Sequence, residues 1–424
     1  MLAVAPATSE APRTVQLDRA GVVSTAAVLS EQGRLEEALA LLDGMTPDDR
    51  ASADVRFARA VLLIDLGRAA EAEGLLEKLV IEKPNVTRIR LEHGRALAAI
   101  GHYGTAERQL RRALADDPPP AVIASVDTAL RGIRAQRRVF GSFGAGIAPD
   151  TNINSATSAE TVDLFGLPFE LDPSARRKSG IGLVAIGEIG LRKPVSPKTA
   201  LVGRLNGTAR IYPNADTDDI AVELRGGVEH LGRTGRITPE FTYLRRWYAG
   251  QAYAEGIGGG LRIERRLGSA WFGSAILDVR HLDYDRSRAY DGWVASARLQ
   301  ADRALGAATV LSLGGTATRT TARDNGYASW LGEVDAALFR DWSGGWATSV
   351  SAGVGHLSAD APIAALGETR RDWRLRGSVS VANRKLSWLG MMPTVRLSTE
   401  RIQSSIDLYD LSRTRLEFLL TRTF

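Results

Sequence analysis

Catalytic and metal chemistry draws on few residue types, and this chain supplies them sparsely. The histidines are His93, His102, His230, His281 and His356. No pair has the helical spacing of a metal site, and no His-Glu-x-x-His occurs. Cysteine is absent, which removes disulfides, thiolate metal sites and thiol nucleophiles together. The densest acidic cluster is Asp278-Val279-Arg280-His281-Leu282-Asp283-Tyr284-Asp285. Carboxylates beside an imidazole suit calcium binding or lipid cleavage; the same series also reads as a solvated rim where a strand meets a loop. Gly256-Ile257-Gly258-Gly259-Gly260 is glycine-rich but lacks the lysine and the helix of a phosphate loop. We therefore expect no enzyme, no cofactor and no metal site.

The charge pattern points elsewhere. Net charge is +5, and the only lysines are Lys78, Lys83, Lys178, Lys193, Lys198 and Lys385. The remaining cations are arginines, whose planar fork bonds several carboxylates at once. Charges alternate in sign along the chain and form no basic block, so no nucleic-acid partner is expected. In Arg413–Phe424, Leu416, Phe418, Leu420 and Phe424 fall on one face of an extended chain. Arg413, Arg415, Glu417, Thr421 and Thr423 fall on the other. Apolar outside and charged inside suits a barrel with lipid around it and a wet lumen.

The same alternation recurs from Val139 onward, in Ile220/Val222/Leu224, Trp293/Ala295/Ala297/Leu299 and Trp373/Leu375 among others. Segments of roughly ten residues predict about fourteen strands. Tight turns are expected at 194–197, 233–235, 268–269, 306–307, 343–345 and 383–384. Longer loops are expected at 148–179, 212–218, 248–253, 284–291, 321–327, 357–370 and 403–411. Short turns belong on the periplasmic side, which places both barrel termini there. Trp247, Tyr248, Tyr284, Trp293, Trp330 and Trp373 are placed to form an interfacial girdle. Arg225, Arg298, Arg374, Arg376, Arg413 and Arg415 predict a basic lumen face.

The first third repeats. Gly33, Gly67 and Gly101 share one spacing, kept by Ala38, Ala72 and Ala106 and by Leu42, Leu76 and Leu110. Pro84 and Pro118 follow it, while Arg50 breaks it. Glycine ends a helix at positive φ, alanine admits a close neighbour, and proline stops the second helix. The period and residue types resemble the tetratricopeptide repeat. A helix over 121–138 is expected to cap the array. The repeat's usual geometry puts Val23, Phe57, Val61, Ile64, Leu91 and Arg95 on a concave face. That face is read either as a groove for a partner segment, or as filled by the chain's own N-terminal arm or the barrel. No run is long and apolar enough for a membrane helix. Met1–Thr8 shows no basic region before an apolar one, so no signal peptide is seen and a trimmed leader is expected.

The expected fold is α + β in two domains. A flexible arm (1–18) precedes a tetratricopeptide-type α-solenoid (19–138, periplasmic) and a transmembrane antiparallel β-barrel (139–424). Together with Ala148-Pro149-Asp150-Thr151-Asn152-Ile153-Asn154-Ser155, this architecture resembles the surface lipoprotein assembly modulators of Gram-negative bacteria. Thr151 stands where that family has serine. The resemblance implies an outer-membrane translocator of specific surface lipoproteins or related secreted binding proteins. It also implies outer-membrane lipid, periplasmic chaperones and the barrel assembly machinery as partners. Pro149, Asp150, Asn152 and Asn154 form a motif loop, read either as a structural lock or as a lumen gate. Gly141, Gly144 and Gly146 on the first strand, with Phe418 and Phe424 on the last, mark the seam where these two strands must pair. These glycines are read either as a weak seam that opens sideways or as relief of crowding. Two alternatives stand beside the translocator, an exopolysaccharide exporter and a gated porin.

Overall fold

The structure is a computed structural model describing residues 17–115, 118–157, 159–164, 167–172, 175–213 and 216–424. Residues 1–16 of the expected arm lie outside the described residues. By contact the chain forms two compact units that divide between Leu79 and Val80.

The first unit is helical. It holds α1 (Arg19–Glu31), α2 (Leu35–Asp43), α3 (Pro47–Ala51), α4 (Ala53–Asp65) and most of α5 (Ala69–Glu82). Asp18 caps α1 by accepting from the Gly21 amide at 2.8 Å. Gly33 and Gly67 end α1 and α4 at φ of 77° and 76°, and Gly101 repeats this at 82° after α6 (Thr87–Ala99). That conformation is cheap only for glycine, which explains the regular spacing. Ala38, Leu42, Ala72 and Leu76 are fully buried. Where Arg50 replaces proline, the chain winds into α3, capped by Thr46 through the Asp49 amide at 3.2 Å.

The second unit begins with α6, α7 (Tyr103–Arg112) and α8 (Pro120–Gln136). Pro120 opens α8 at a position where its missing amide costs nothing. Leu97, Ala106, Leu110, Leu114, Val126, Leu130 and Ile133 form the core of these helices. The sequence groups them with the repeats by element type; contact groups them with the barrel.

The barrel closes fourteen antiparallel strands: β1 (Val139–Asp150), β4 (Gly180–Ser196), β5 (Thr199–Ile211), β6 (Asp219–Leu231), β7 (Gly235–Tyr248), β8 (Gln251–Arg266), β9 (Trp271–Tyr284), β10 (Gly292–Gly306), β11 (Thr309–Thr320), β12 (Ser329–Asp341), β13 (Trp346–Ala359), β14 (Arg371–Asn383), β15 (Met392–Ser404) and β16 (Leu411–Thr423). A hairpin of β2 (Thr161–Leu164) and β3 (Leu167–Glu170) lies within the loop after β1. Every strand pairs with its sequence neighbour, and β1 closes the ring on β16. No described helix is long and apolar enough to cross a membrane. Leu299 (62% exposed) and Val334 (60%) belong to an apolar outer wall that only an apolar solvent would cover.

Three connections differ from the sequence reading. The expected loop at 248–253 is a two-residue turn, Ala249-Gly250, both at positive φ (53° and 68°). That is the backbone a tight hairpin needs. The expected tight turn at 383–384 is a longer segment, with a 3-10 turn at Arg384–Leu386 before β15. Strand β4 runs through Pro194 to Ser196, leaving only Pro197 and Lys198 as the turn. In the girdle, Trp247, Trp293, Trp330 and Trp373 stay exposed. Tyr248 and Tyr284 leave it for an edge-on chain with Tyr253, at 5.9 and 5.7 Å between ring centres.

Candidate functional site: a fastened seam and a covered mouth

The motif loop fastens the barrel seam. Asn152 is fully buried and uses its whole amide group. Its Nδ2 donates to the Ala156 and Ser412 carbonyls at 2.8 and 3.3 Å, and its Oδ1 accepts from the Ala156 amide at 3.0 Å. The Asn152 carbonyl accepts from Arg413 Nε at 2.9 Å. Asp150 points inward and pairs with Arg415 at 2.8 Å and Arg413 at 3.4 Å. Thr151 exchanges bonds with Thr414 at 3.1 and 2.9 Å. Asn154 reaches the loop's far side, donating to the Arg176 carbonyl at 2.8 Å and accepting from the Lys178 amide at 3.0 Å. Pro149, without an amide hydrogen, pairs only towards Ile181 of β4.

Along the seam, Ser142 to Ile147 pair in unbroken register with Thr423 to Phe418. The glycines sit where strands approach closely. A Cβ on Gly146 would lie 1.8 Å from the Phe418 carbonyl oxygen, and one on Gly141 2.2 Å from that of Glu188. Gly144 is looser, at 3.2 Å from the Thr421 methyl. At the far end Gly141 and Phe424 exchange backbone bonds at 3.1 and 3.0 Å. Of the two readings of these glycines, crowding is the one this geometry supports.

The lumen is a lattice of ion pairs. Arg225 reaches Glu223 at 2.7 Å and Asp278 at 3.3 Å, and Arg280 reaches Glu223 at 3.0 Å and Asp278 at 2.5 Å. Arg204 bonds Glu240. Arg298 pairs with Asp335 at 3.2 Å, while Arg376 bridges Glu333 and Glu400 at 2.9 and 3.3 Å. The expected basic face is thus interleaved with carboxylates. The acidic series of β9 divides between the faces. Asp278 turns inward, whereas His281 contacts Asp283 at 3.2 Å and packs on Trp293. Asp285 pairs with Arg245 at 3.2 Å. Among the described residues the series does not gather three potential metal ligands at one point.

Helices α6 to α8 lie across the mouth at the short-turn end. Asp341, at the end of β12, receives Arg90 at 3.0 Å, Arg384 at 2.6 Å and Arg112. Arg90 is fully buried and also bonds the Pro84 carbonyl and Gln109 at 2.9 and 2.7 Å. Burial, then Arg112, lowers its guanidinium to about 10 against the opposing pull of Asp341. Elsewhere on the rim Asp127 meets Arg266 at 2.6 Å, Arg192 donates to the Arg134 carbonyl at 2.7 Å, and Arg137 donates to the backbone oxygen of Phe424 at 2.8 Å. Phe272 of β9 packs into the helical core under Arg111. Burial works to raise the Glu107 carboxyl, but Arg111, Arg236, Arg134 and Arg137 outweigh it and hold it at about 2.

The residues expected on the concave face are carried by both units. Val23, Phe57, Val61 and Ile64 are half-buried in the first. In the second, Leu91 packs against the core of α6 to α8, and Arg95 pairs with Glu92 at 2.7 Å. The Asp341 cluster escaped sequence reading because its partners lie far away along the chain and share no local pattern.

Residues 29–90 match a tetratricopeptide repeat model. The chain is 23% identical over 388 residues to Surface lipoprotein assembly modifier 1 of Neisseria meningitidis serogroup B (strain ATCC BAA-335 / MC58), across 85% of this chain and 74% of that protein. Among solved structures, the outer membrane channel DcaP of Acinetobacter baumannii aligns at TM-score 0.42 and 8% identity, over 68% of this chain and 96% of that one. A FadL homologue from Pseudomonas aeruginosa aligns at TM-score 0.40 and 8% identity, over 68% and 90%. Residues 141–424, the whole of the barrel but its first two residues, match the family described as Surface lipoprotein assembly modifier, and the chain belongs to that family.

Proposed function

We infer that this chain delivers specific surface lipoproteins, or related secreted binding proteins, across the outer membrane without a motor. The observation that carries the reading is a barrel of the assembly-modifier family whose charged lumen ends under its own helices. A diffusion pore gains nothing from such a cover, whereas a gated conduit needs one. In this reading the helices sit in the periplasm and receive cargo, with Val23, Phe57, Val61 and Ile64 as the partner residues of the first unit and Leu91 and Arg95 as those of the second. Periplasmic chaperones would hold the cargo unfolded, and the barrel assembly machinery would insert the chain itself. Free energy comes from cargo folding outside. The motif loop keeps the seam shut, so cargo uses the lumen.

The test is co-expression with lipoproteins encoded beside this chain, followed by protease treatment of intact cells. Cargo should become protease-sensitive only when the chain is present. Cargo that stays protected in every pairing would overturn the reading.

A further inference from the structure

Inside the barrel lies a cavity of about 660 Å³, within the range of pockets that bind ligands. Seven arginines and four carboxylates line it. Each carboxylate is already engaged: Glu333 and Glu400 by Arg376, Asp335 by Arg298, and Glu417 by Arg396 at 3.5 Å. Arg210 has no ion-pair partner among the described residues, and its Nε is buried without a hydrogen bond. Positive charge is left over at three places: Arg210 on β5 stands alone, Arg413 and Arg415 on β16 share Asp150, and Arg374 on β14 shares Asp372 with Arg370. The lattice of Arg225 and Arg280 with Glu223 and Asp278, on β6 and β9, closes on itself. Beside the arginines, Ser351 and Ser378 bond each other at 2.7 Å and face the cavity as small polar groups.

We propose that this cavity holds an extended polypeptide segment bearing several carboxylates. The surplus arginines come from separate strands, so the charge is spread along a wall rather than gathered at a point. A chain with carboxylates at intervals matches that spread, and guanidinium–carboxylate bonds are among the stronger polar contacts. The serine hydroxyls offer the donors and acceptors an extended backbone needs, without bulk that would arrest it. Binding through many shared, partly screened charges is strong enough to load a segment and weak enough to release it. The inference rests on the reading of this chain as a protein conduit.

The experiment is fluorescence anisotropy of a labelled oligoglutamate peptide with the purified full-length protein in detergent. A labelled oligolysine of equal length is titrated separately, and inorganic phosphate at matched ionic strength serves as competitor. Oligoglutamate should bind, more weakly as salt rises, oligolysine should not, and phosphate should not displace the bound peptide. Arg210→Gln should weaken binding about tenfold, the loss of roughly one charge-assisted bond. Arg401→Gln, on the outer wall, should leave it unchanged. Displacement by phosphate, equal binding of both peptides, or full affinity in Arg210→Gln would overturn the proposal. Cargo delivery is scored separately by protease. Normal delivery without peptide binding sinks this inference alone; peptide binding without any delivery sinks the proposed function alone.

Discussion

Gly146 and Asp341 show what single residues contribute. At Gly146 any side chain meets the Phe418 backbone, which cannot move without breaking the ring. Gly146→Ala should cost about 1–3 kcal/mol, the usual range for overpacking, whereas Gly203→Ala, with open space around it, should be neutral. The gel shift between folded and heat-unfolded barrel reads the difference. Asp341 pairs with three guanidiniums, one of them fully buried. Asp341→Ala should destabilise the cover by about 3–5 kcal/mol, because Arg90 would remain charged without its carboxylate. Arg90→Met in the same background should recover part of that loss, measured by thermal melting of the helices.

At the scale of elements, the seam between β1 and β16 is the informative pair. Ser142 and Thr423 are direct partners facing the lumen, and the chain has no cysteine of its own. Ser142→Cys with Thr423→Cys should form a disulfide, since antiparallel partners lie within its reach. If cargo uses the lumen, export should continue with this bond in place; export lost on oxidation and restored by reductant would show that the seam must open.

The elements were largely legible because their signals are periodic. Leu416, Phe418 and Leu420 declare a strand two residues at a time, and Gly33, Gly67 and Gly101 declare helix ends. The turn at Ala249-Gly250 was not legible, since alanine rarely takes the left-handed conformation it adopts there. The connection before β15 contains Trp388 and Leu389, apolar residues that give no turn signal, and both are exposed. The cover was invisible for another reason. Arg90 and Arg112 look like ordinary helix-surface arginines until the fold brings β12 beneath them.

Across the whole second unit, the cover responds to pH through Glu107. Its carboxyl is held at about 2, below the ordinary 4.5. A lowered carboxylate stabilises the folded state above its unfolded value and loses that contribution as pH falls through the folded one. Spin labels at Ser125→Cys and Ser269→Cys should therefore keep one sharp distance from neutral pH to about 4.5 and broaden only as pH nears 2. A distance that broadens by pH 5 to 6 would mean that Glu107 does not hold the cover. In planar bilayers the native protein should be nearly silent, and Asp341→Ala should conduct.

The bond from Arg90 to Asp341 joins residues 251 positions apart. Until β12 has been threaded into place, a buried cation on α6 has nothing to neutralise it, so α6 and α7 gain little by settling early. Closure of the entrance by α6 and α7 should therefore follow, rather than precede, the placement of β12 in the barrel.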